Sequence, residues 1–309
     1  MSFKKDTDDK QADRACKLVD GRGLSRHDNK DSGLVHSSGT LRTFHQAYKG
    51  AAGWMRQAYQ GKSQLHHMKP SDARRYLDQR TEQVGQKTLN NERRALELYF
   101  RKRDRDDSIA VERVISEHRS IENSRAYSSD QVQLIASDAS DRMGFAIRVA
   151  SEAGLRAVEL HSLRPIEERG PSGHRASSWI PERFSGREDW HRYTVIGKGG
   201  LIREVRLSPE TAAQLEARRL DEPRLVIDRT IKIDKHYDLP GGQSFSNTFT
   251  TNARTSLGWS HGAHGLRHGY AQLRMAQLAD AGVRYERALE AVSQEMGHFR
   301  ADITEVYLR

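Results

Sequence analysis

Residues 192–208 read Arg-Tyr-Thr-Val-Ile-Gly-Lys-Gly-Gly-Leu-Ile-Arg-Glu-Val-Arg-Leu-Ser. Two short runs with β-branched residues flank Gly197-Lys198-Gly199-Gly200, a turn signal, so the stretch predicts a β-hairpin. Residues 179–184 read as a further strand. Most of the remaining sequence has helical spacing. This sets the fold class: mainly α with a small antiparallel β-sheet.

Upstream, Leu41, Phe44, Tyr48, Ala52, Met55 and Tyr59 recur at steps of three and four, one face of a helix that Ser37 and Ser38 can cap. A second helix starts at Pro70 and Ser71, since proline is tolerated in a first turn. A third starts at Thr88 and buries Leu89, Leu96 and Phe100. A fourth is expected over residues 109–118. Residues 37–118 therefore make a small all-helical domain. Residues 1–36 are polar and without periodicity, which predicts a flexible tail. Residues 119–127 read as a linker, and 128–309 as a second domain. The latter opens with a capped helix at Ser128, continues with an apolar helix stopped by Gly154, passes through the strands and returns to helix after Ser208.

Composition removes several function classes. The single cysteine, Cys16, permits no internal disulfide and no cysteine-built metal cage. No apolar run has the length of a membrane span, and the first residues offer no apolar stretch for a signal peptide. The expected place is the cytoplasm of a bacterial cell. Lys and Arg number 51 against 42 Asp and Glu, a net charge of +9. That surplus favours a polyanionic partner. Arg93 and Arg94, on the third helix, are the expected phosphate contacts of the first domain.

The densest chemistry lies in His261-Gly-Ala-His-Gly-Leu-Arg-His-Gly-Tyr270. A zinc helix would need a carboxylate directly after the first histidine, and Arg267 would set a fixed positive charge beside the metal. No metal is expected. An anion fits better. His264 precedes Arg267 by three residues, so both project from one side of a helix start, where free N–H groups and the helix dipole also favour negative charge. Arg156 follows a glycine-stopped apolar helix, and Glu159 lies three residues on, placed to orient it. His298 precedes Tyr307 by nine residues.

Taken in order, "GLRAVEL", "IGKGG", "HGLRH" and "MGH" with a tyrosine nine residues beyond its histidine resemble the tyrosine recombinases, or phage integrases. The resemblance spans residues 128–309, and the preceding helices resemble that family's SAM-like core-binding domain. It implies Arg156 and Arg267 as catalytic arginines, Lys198 as the hairpin lysine, and His264 and His298 as phosphate-binding histidines. It implies Tyr307 as the nucleophile and Glu159 as the supporting acid; His268 is left structural. It further implies cleavage and rejoining of double-stranded DNA through a 3′-phosphotyrosyl intermediate, without metal, ATP or other cofactor. The implied assembly is a homo-tetramer on paired sites, associated with the nucleoid when bound. The alternatives are single-strand cleavage of the type IB topoisomerase kind and a non-catalytic DNA-binding relative.

Overall fold

The computed structural model describes residues 7–22, 33–118, 124–173, 178–229 and 231–309. The chain divides into two compact units, Met1–Ile121 and Glu122–Arg309.

Unit 1 is helical: α1 (Asp8–Val19), α2 (Ser38–Ala58), α3 (Pro70–Arg80) and α4 (Gln86–Asp104). The Ser37 side chain caps α2 by accepting from the Thr40 amide, one of the donors a helix start leaves unpaired. Leu41, Phe44, Tyr48, Ala52 and Met55 are buried as the spacing predicts, whereas Tyr59 lies past the helix end and is exposed. Burying each large apolar side chain contributes about 1.5–3 kcal/mol.

Two expectations for this unit are corrected. Within the expected tail, residues 8–19 form α1, which buries Ala12, Ala15, Cys16 and Val19. Its acids Asp8, Asp9 and Asp13 meet Arg56, Lys49 and His45 of α2 at 2.8, 2.9 and 3.0 Å. The apolar stripe is made of small side chains, so it gives a weak periodic signal. The rest of that expectation, residues 1–6 and 23–32, lies outside the described residues. The expected fourth helix is absent as well: residues 109–118 run without helix. Side chains of α4 supply the partners that a helix would have supplied internally. Arg101 Nε donates to Ile109 O (2.7 Å), Gln86 Nε2 to Val114 O (3.0 Å), and Glu97 accepts from Val111 N (3.1 Å).

Unit 2 runs α5 (Ser129–Ser137), α6 (Asp141–Glu152), β1 (Arg164–Pro165), β2 (His191–Ile196), β3 (Ile202–Leu207), α7 (Pro209–Glu216), β4 (Arg219–Asp228), β5 (Ile231–Tyr237), α8 (Gly242–Leu257), α9 (Gly265–Asp280), α10 (Tyr285–Glu295) and α11 (Ala301–Glu305). β2 and β3 form the expected hairpin, in register from His191↔Leu207 to Ile196↔Ile202, and β1 adds a third antiparallel strand. Phe145, Ile147, Val149, Val195, Val205, Leu207, Phe245 and Phe249 fill the core between helices and sheet. The fold class is thus mainly α with small antiparallel sheets.

Three details of this unit differ from the sequence reading. Residues 181–186 form turns rather than a strand. After Ser208 the helical return is interrupted by the β4–β5 hairpin, where the register shifts between Arg219 and Arg224. Residues 119–123 of the expected linker lie outside the described residues, but Tyr127 belongs to the unit. It is buried and stacks on Trp259 at 5.4 Å with rings 2° apart. Its hydroxyl accepts from the His261 amide at 2.7 Å. Among the described residues, no helix is long and apolar enough to cross a membrane.

Candidate active site

Four segments of unit 2 meet at one place: the turn after α6, the tip of the β2–β3 hairpin, the start of α9, and the segment from the end of α10 to α11. Gly154 makes the first meeting possible. It holds φ +59, and a Cβ there would stand 2.6 Å from the Tyr270 ring, so the turn needs glycine both for conformation and for room. The chain then presents Arg156 and enters a short 3-10 turn, Glu159–Ser162.

Glu159 is fully buried and is the hub. Arg156 binds it twice, through its amide to Oε2 (2.8 Å) and Nη1 to Oε1 (2.7 Å). Arg203 Nη2 donates to Oε2 at 2.8 Å, and Arg267 Nη1 lies 3.7 Å from the same oxygen. Burial alone would raise the Glu159 carboxyl, but Arg203, Arg267 and Arg156 overcome it and hold it at about 2. Arg156 keeps 23% of its side chain exposed and reaches His298, with Nη2 3.0 Å from Nε2. Arg267 is fully buried. It donates from Nη1 to Gly154 O and from Nη2 to Met296 O (3.0 Å). Burial and Arg156 pull it down to about 10, so it stays charged at neutral pH.

Tyr307, just past α11, is 8% exposed. Its ring lies 5.4 Å from His264, 5.6 Å from His298 and 4.7 Å from His268, with the Arg267 guanidinium 5.8 Å from its centre. Burial and the charge of Arg267 push His264 down to about 4 and His298 to about 3, with Arg156 adding to both shifts. Both imidazoles are therefore neutral at pH 7. The charge balance follows: three guanidiniums face one carboxylate, which leaves two positive charges uncompensated. Buried charge without a partner is costly. The place suits an added anion, and the neutral imidazoles can take up a proton.

The structure thus gathers Arg156, Glu159, His264, Arg267, His298 and Tyr307. Lys198 stands on the exposed hairpin tip and makes no ion pair among the described residues. Its neighbour Gly197 packs on the cluster: a Cβ there would lie 3.5 Å from Glu159 Oε1 and 3.9 Å from Arg156 Nη1. His268, read as structural, forms part of the wall around Tyr307. Among the described residues no group of three or more His, Cys, Asp or Glu side chains could hold a metal ion. In unit 1, Arg94 is exposed. Arg93 is half-buried, and its Nη1 donates to Glu97 (2.8 Å) and to Val111 O (3.0 Å), which binds α4 to the extended segment beside it.

Sequence reasoning missed Arg203. It lies on β3 with Val205 and Leu207 on the buried face, opposite Val195 across the hairpin. An arginine in phase with the apolar positions of a strand was the available signal.

No protein-family model and no curated protein matches the sequence. Solved structures do match its fold. The XerH site-specific recombinase bound to difH substrate aligns at TM-score 0.57 and 13% identity, over 100% of this chain and 94% of that one. A lambda integrase dimer bound to a COC' core site aligns at TM-score 0.57 and 15% identity, over 97% and 76%. The Tn1549 transposon integrase in complex with transposon right end DNA aligns at TM-score 0.54 and 15% identity, over 96% and 94%. The chain has the fold of the tyrosine recombinases.

Proposed function

We propose that this chain is a site-specific DNA recombinase that breaks and rejoins strands through a 3′-phosphotyrosyl intermediate. The observation that carries the proposal is the packing of one tyrosine, Tyr307, among two neutral histidines and a buried arginine, beside two uncompensated positive charges. A DNA phosphodiester is the anion this charge pattern suits.

Each step has a residue. Arg156 and Arg267 pair with the non-bridging oxygens of the scissile phosphate, whose charge grows as the pentacoordinate state forms. Each such preorganised donor contributes roughly 3–4 kcal/mol in the transition state. His298 adds a hydrogen bond from the same side. The phenol oxygen of Tyr307 attacks phosphorus, and the new O–P bond replaces the bond to the 5′-oxygen. The phenol proton passes to the neutral His264. The departing 5′-oxygen takes a proton from the Lys198 ammonium at the hairpin tip. The ester energy stays in the tyrosyl phosphate. Attack by another strand's 5′-hydroxyl reverses every transfer, with neither metal nor ATP. The substrate is double-stranded DNA inside a bacterial cell. The working assembly is a homo-tetramer on paired sites, and the helical unit 1 supplies further DNA contact.

The test uses duplexes selected by the protein from a randomised pool, nicked near each candidate phosphate to trap the cut strand. Wild type should give an adduct that survives denaturing electrophoresis. Tyr307→Phe should bind the same duplex with unchanged affinity and give no adduct. An adduct with Tyr307→Phe would remove Tyr307 from the nucleophile's role.

A further inference from the structure

Arg203 and Arg267 do parallel jobs beside Glu159. Arg203 is completely buried. Its Nη1 donates to Glu295 O at 2.6 Å, and its Nη2 to Glu159 Oε2 at 2.8 Å and Gly154 O at 3.5 Å. Arg267 likewise spans from Gly154 O to the next carbonyl of the same helix end, Met296 O. Both arginines satisfy carbonyls that the C-terminus of α10 leaves free and complement its dipole. Both also join the Gly154–Glu159 turn to the segment that leads on to His298 and Tyr307. Room for Arg203 comes from Gly297, which holds φ +75. A Cβ there would stand 2.7 Å from Arg203 Cδ, so any side chain at 297 would displace the arginine.

We infer that Arg203 is a positioning residue for strand cleavage: it fixes the Glu159 carboxylate, which in turn aims Arg156 at the phosphate. The inference rests on the recombinase reading above. The geometry distinguishes the parts. Arg156 is partly exposed. Arg203 and Arg267 are both fully buried, but the Arg267 guanidinium lies 5.8 Å from the centre of the Tyr307 ring, whereas both terminal nitrogens of Arg203 are held by Glu295 O, Glu159 and Gly154 O. The path runs from Arg203 to Glu159, from Glu159 to Arg156 by two hydrogen bonds, and from Arg156 to His298. Glu159 uses one oxygen for Arg203 and the Arg156 amide and the other for the Arg156 guanidinium. Loss of Arg203 frees the carboxylate to turn, and the guanidinium turns with it. Misplacement of a catalytic group by about 1 Å costs on the order of 100-fold in rate.

A pH signature follows. The charged groups facing Glu159 are Arg156 from its own turn, Arg203 from β3 and Arg267 from α9, with the neutral His298 behind Arg156. Arg203 is the largest of the three opposing the effect of burial. Without it the carboxyl protonates at higher pH, and the acid limb of the cleavage profile moves up.

The experiment measures adduct formation on the selected nicked duplex with wild type, Arg203→Met, Glu159→Gln and the double variant. Arg203→Met should cleave about 100-fold more slowly, with DNA affinity held and its acid limb shifted upward. On the Glu159→Gln background, the same change should cost less than about threefold, because both act through one link. Arg203→Lys should recover part of the rate. If Arg203→Met fails to fold, the double variant, which buries neither charge, is compared with Glu159→Gln alone. Equal losses on both backgrounds, or a rate for Arg203→Met equal to wild type, would overturn the inference. Wild type giving no adduct at all would instead overturn the recombinase reading.

Discussion

Among the described residues of unit 2, two glutamates lie fully buried, and their surroundings answer them in opposite ways. Glu295 has one ionic partner among the described residues. Arg274 grips it from two nitrogens, both at 2.9 Å, while the Tyr270 hydroxyl donates at 2.7 Å and the Phe184 amide at 2.8 Å. Burial works to raise its carboxyl, but these bonds hold it below the usual range. One charge cancels one charge and the carboxylate oxygens are satisfied. Glu159 meets three arginines. A balanced network closes a structure. An unbalanced one keeps a place for a missing anion, and it is the unbalanced network that stands beside Tyr307.

The largest expected effect on the fold comes from breaking the balanced pair. Glu295→Gln keeps the shape but strands Arg274, which is 1% exposed. Urea unfolding should show a loss of about 3–5 kcal/mol. A loss below about 1 kcal/mol would mean that the pair does not hold the structure.

Lys198 stands next to Gly197, which packs on the unbalanced network, and in the proposed mechanism it is the general acid, so its removal should slow cleavage about 10²–10⁴-fold. On DNA with sulfur in place of the bridging 5′-oxygen, the leaving group departs without a proton. There Lys198→Ala should match wild type within about threefold. Equal defects on both substrates would take Lys198 out of the acid's role.

The excess charge also fixes a pH dependence. His264 and His298 have folded values near 4 and 3, below the ordinary 6.5. Between those limits the unfolded chain binds more protons, so stability falls as pH drops from about 6.5 toward 3. Glu159, at about 2 against 4.5, adds a loss in the same direction below about pH 4.5. NMR titration of the free protein should find both rings neutral at pH 6, and bound DNA should raise their values. Rings titrating near 6.5 in the free protein would contradict the uncompensated charge.

The smallest expected effect is a rise of a few degrees in melting temperature on adding sulfate, since an anion that binds only the folded chain stabilises it. Glu159→Gln leaves three uncompensated arginines rather than two and should gain more than wild type. Glu295→Gln should gain no more than wild type, because Arg274 is 1% exposed, whereas Arg156 in the other network keeps 23% of its side chain exposed. A larger gain for Glu295→Gln would erase the distinction between the two networks.

Much of this was legible in the sequence. The stripe from Leu41 to Met55 and the turn at Gly197–Gly200 gave α2 and the β2–β3 hairpin. Residue order placed Arg156, Glu159, His264, Arg267, His298 and Tyr307 in the same site. What was missed shares a physical cause: partners distant in sequence. α1 packs through two alanines, Cys16 and one valine, side chains too small for a clear stripe. Residues 109–118 read as a helix but form none, because their bonds go to α4 side chains. The β4–β5 hairpin carries exposed Leu225, Ile227 and Ile231, so hydrophobicity does not mark its buried face. Arg203 lies in phase with Val205 and Leu207, but its partners Glu159 and Glu295 stand far from it in sequence.

The central claim is that the phenol oxygen of Tyr307 joins DNA to this chain beside that positively charged network. Wild-type protein, incubated in EDTA with the selected nicked duplex, is digested and the linked peptide is sequenced by mass spectrometry. The account predicts a 3′-phosphate on Tyr307 and a free 5′-hydroxyl on the other strand end. A link at any other residue, a 5′-phosphate on the protein, or cleavage that appears only when divalent metal is restored would contradict it.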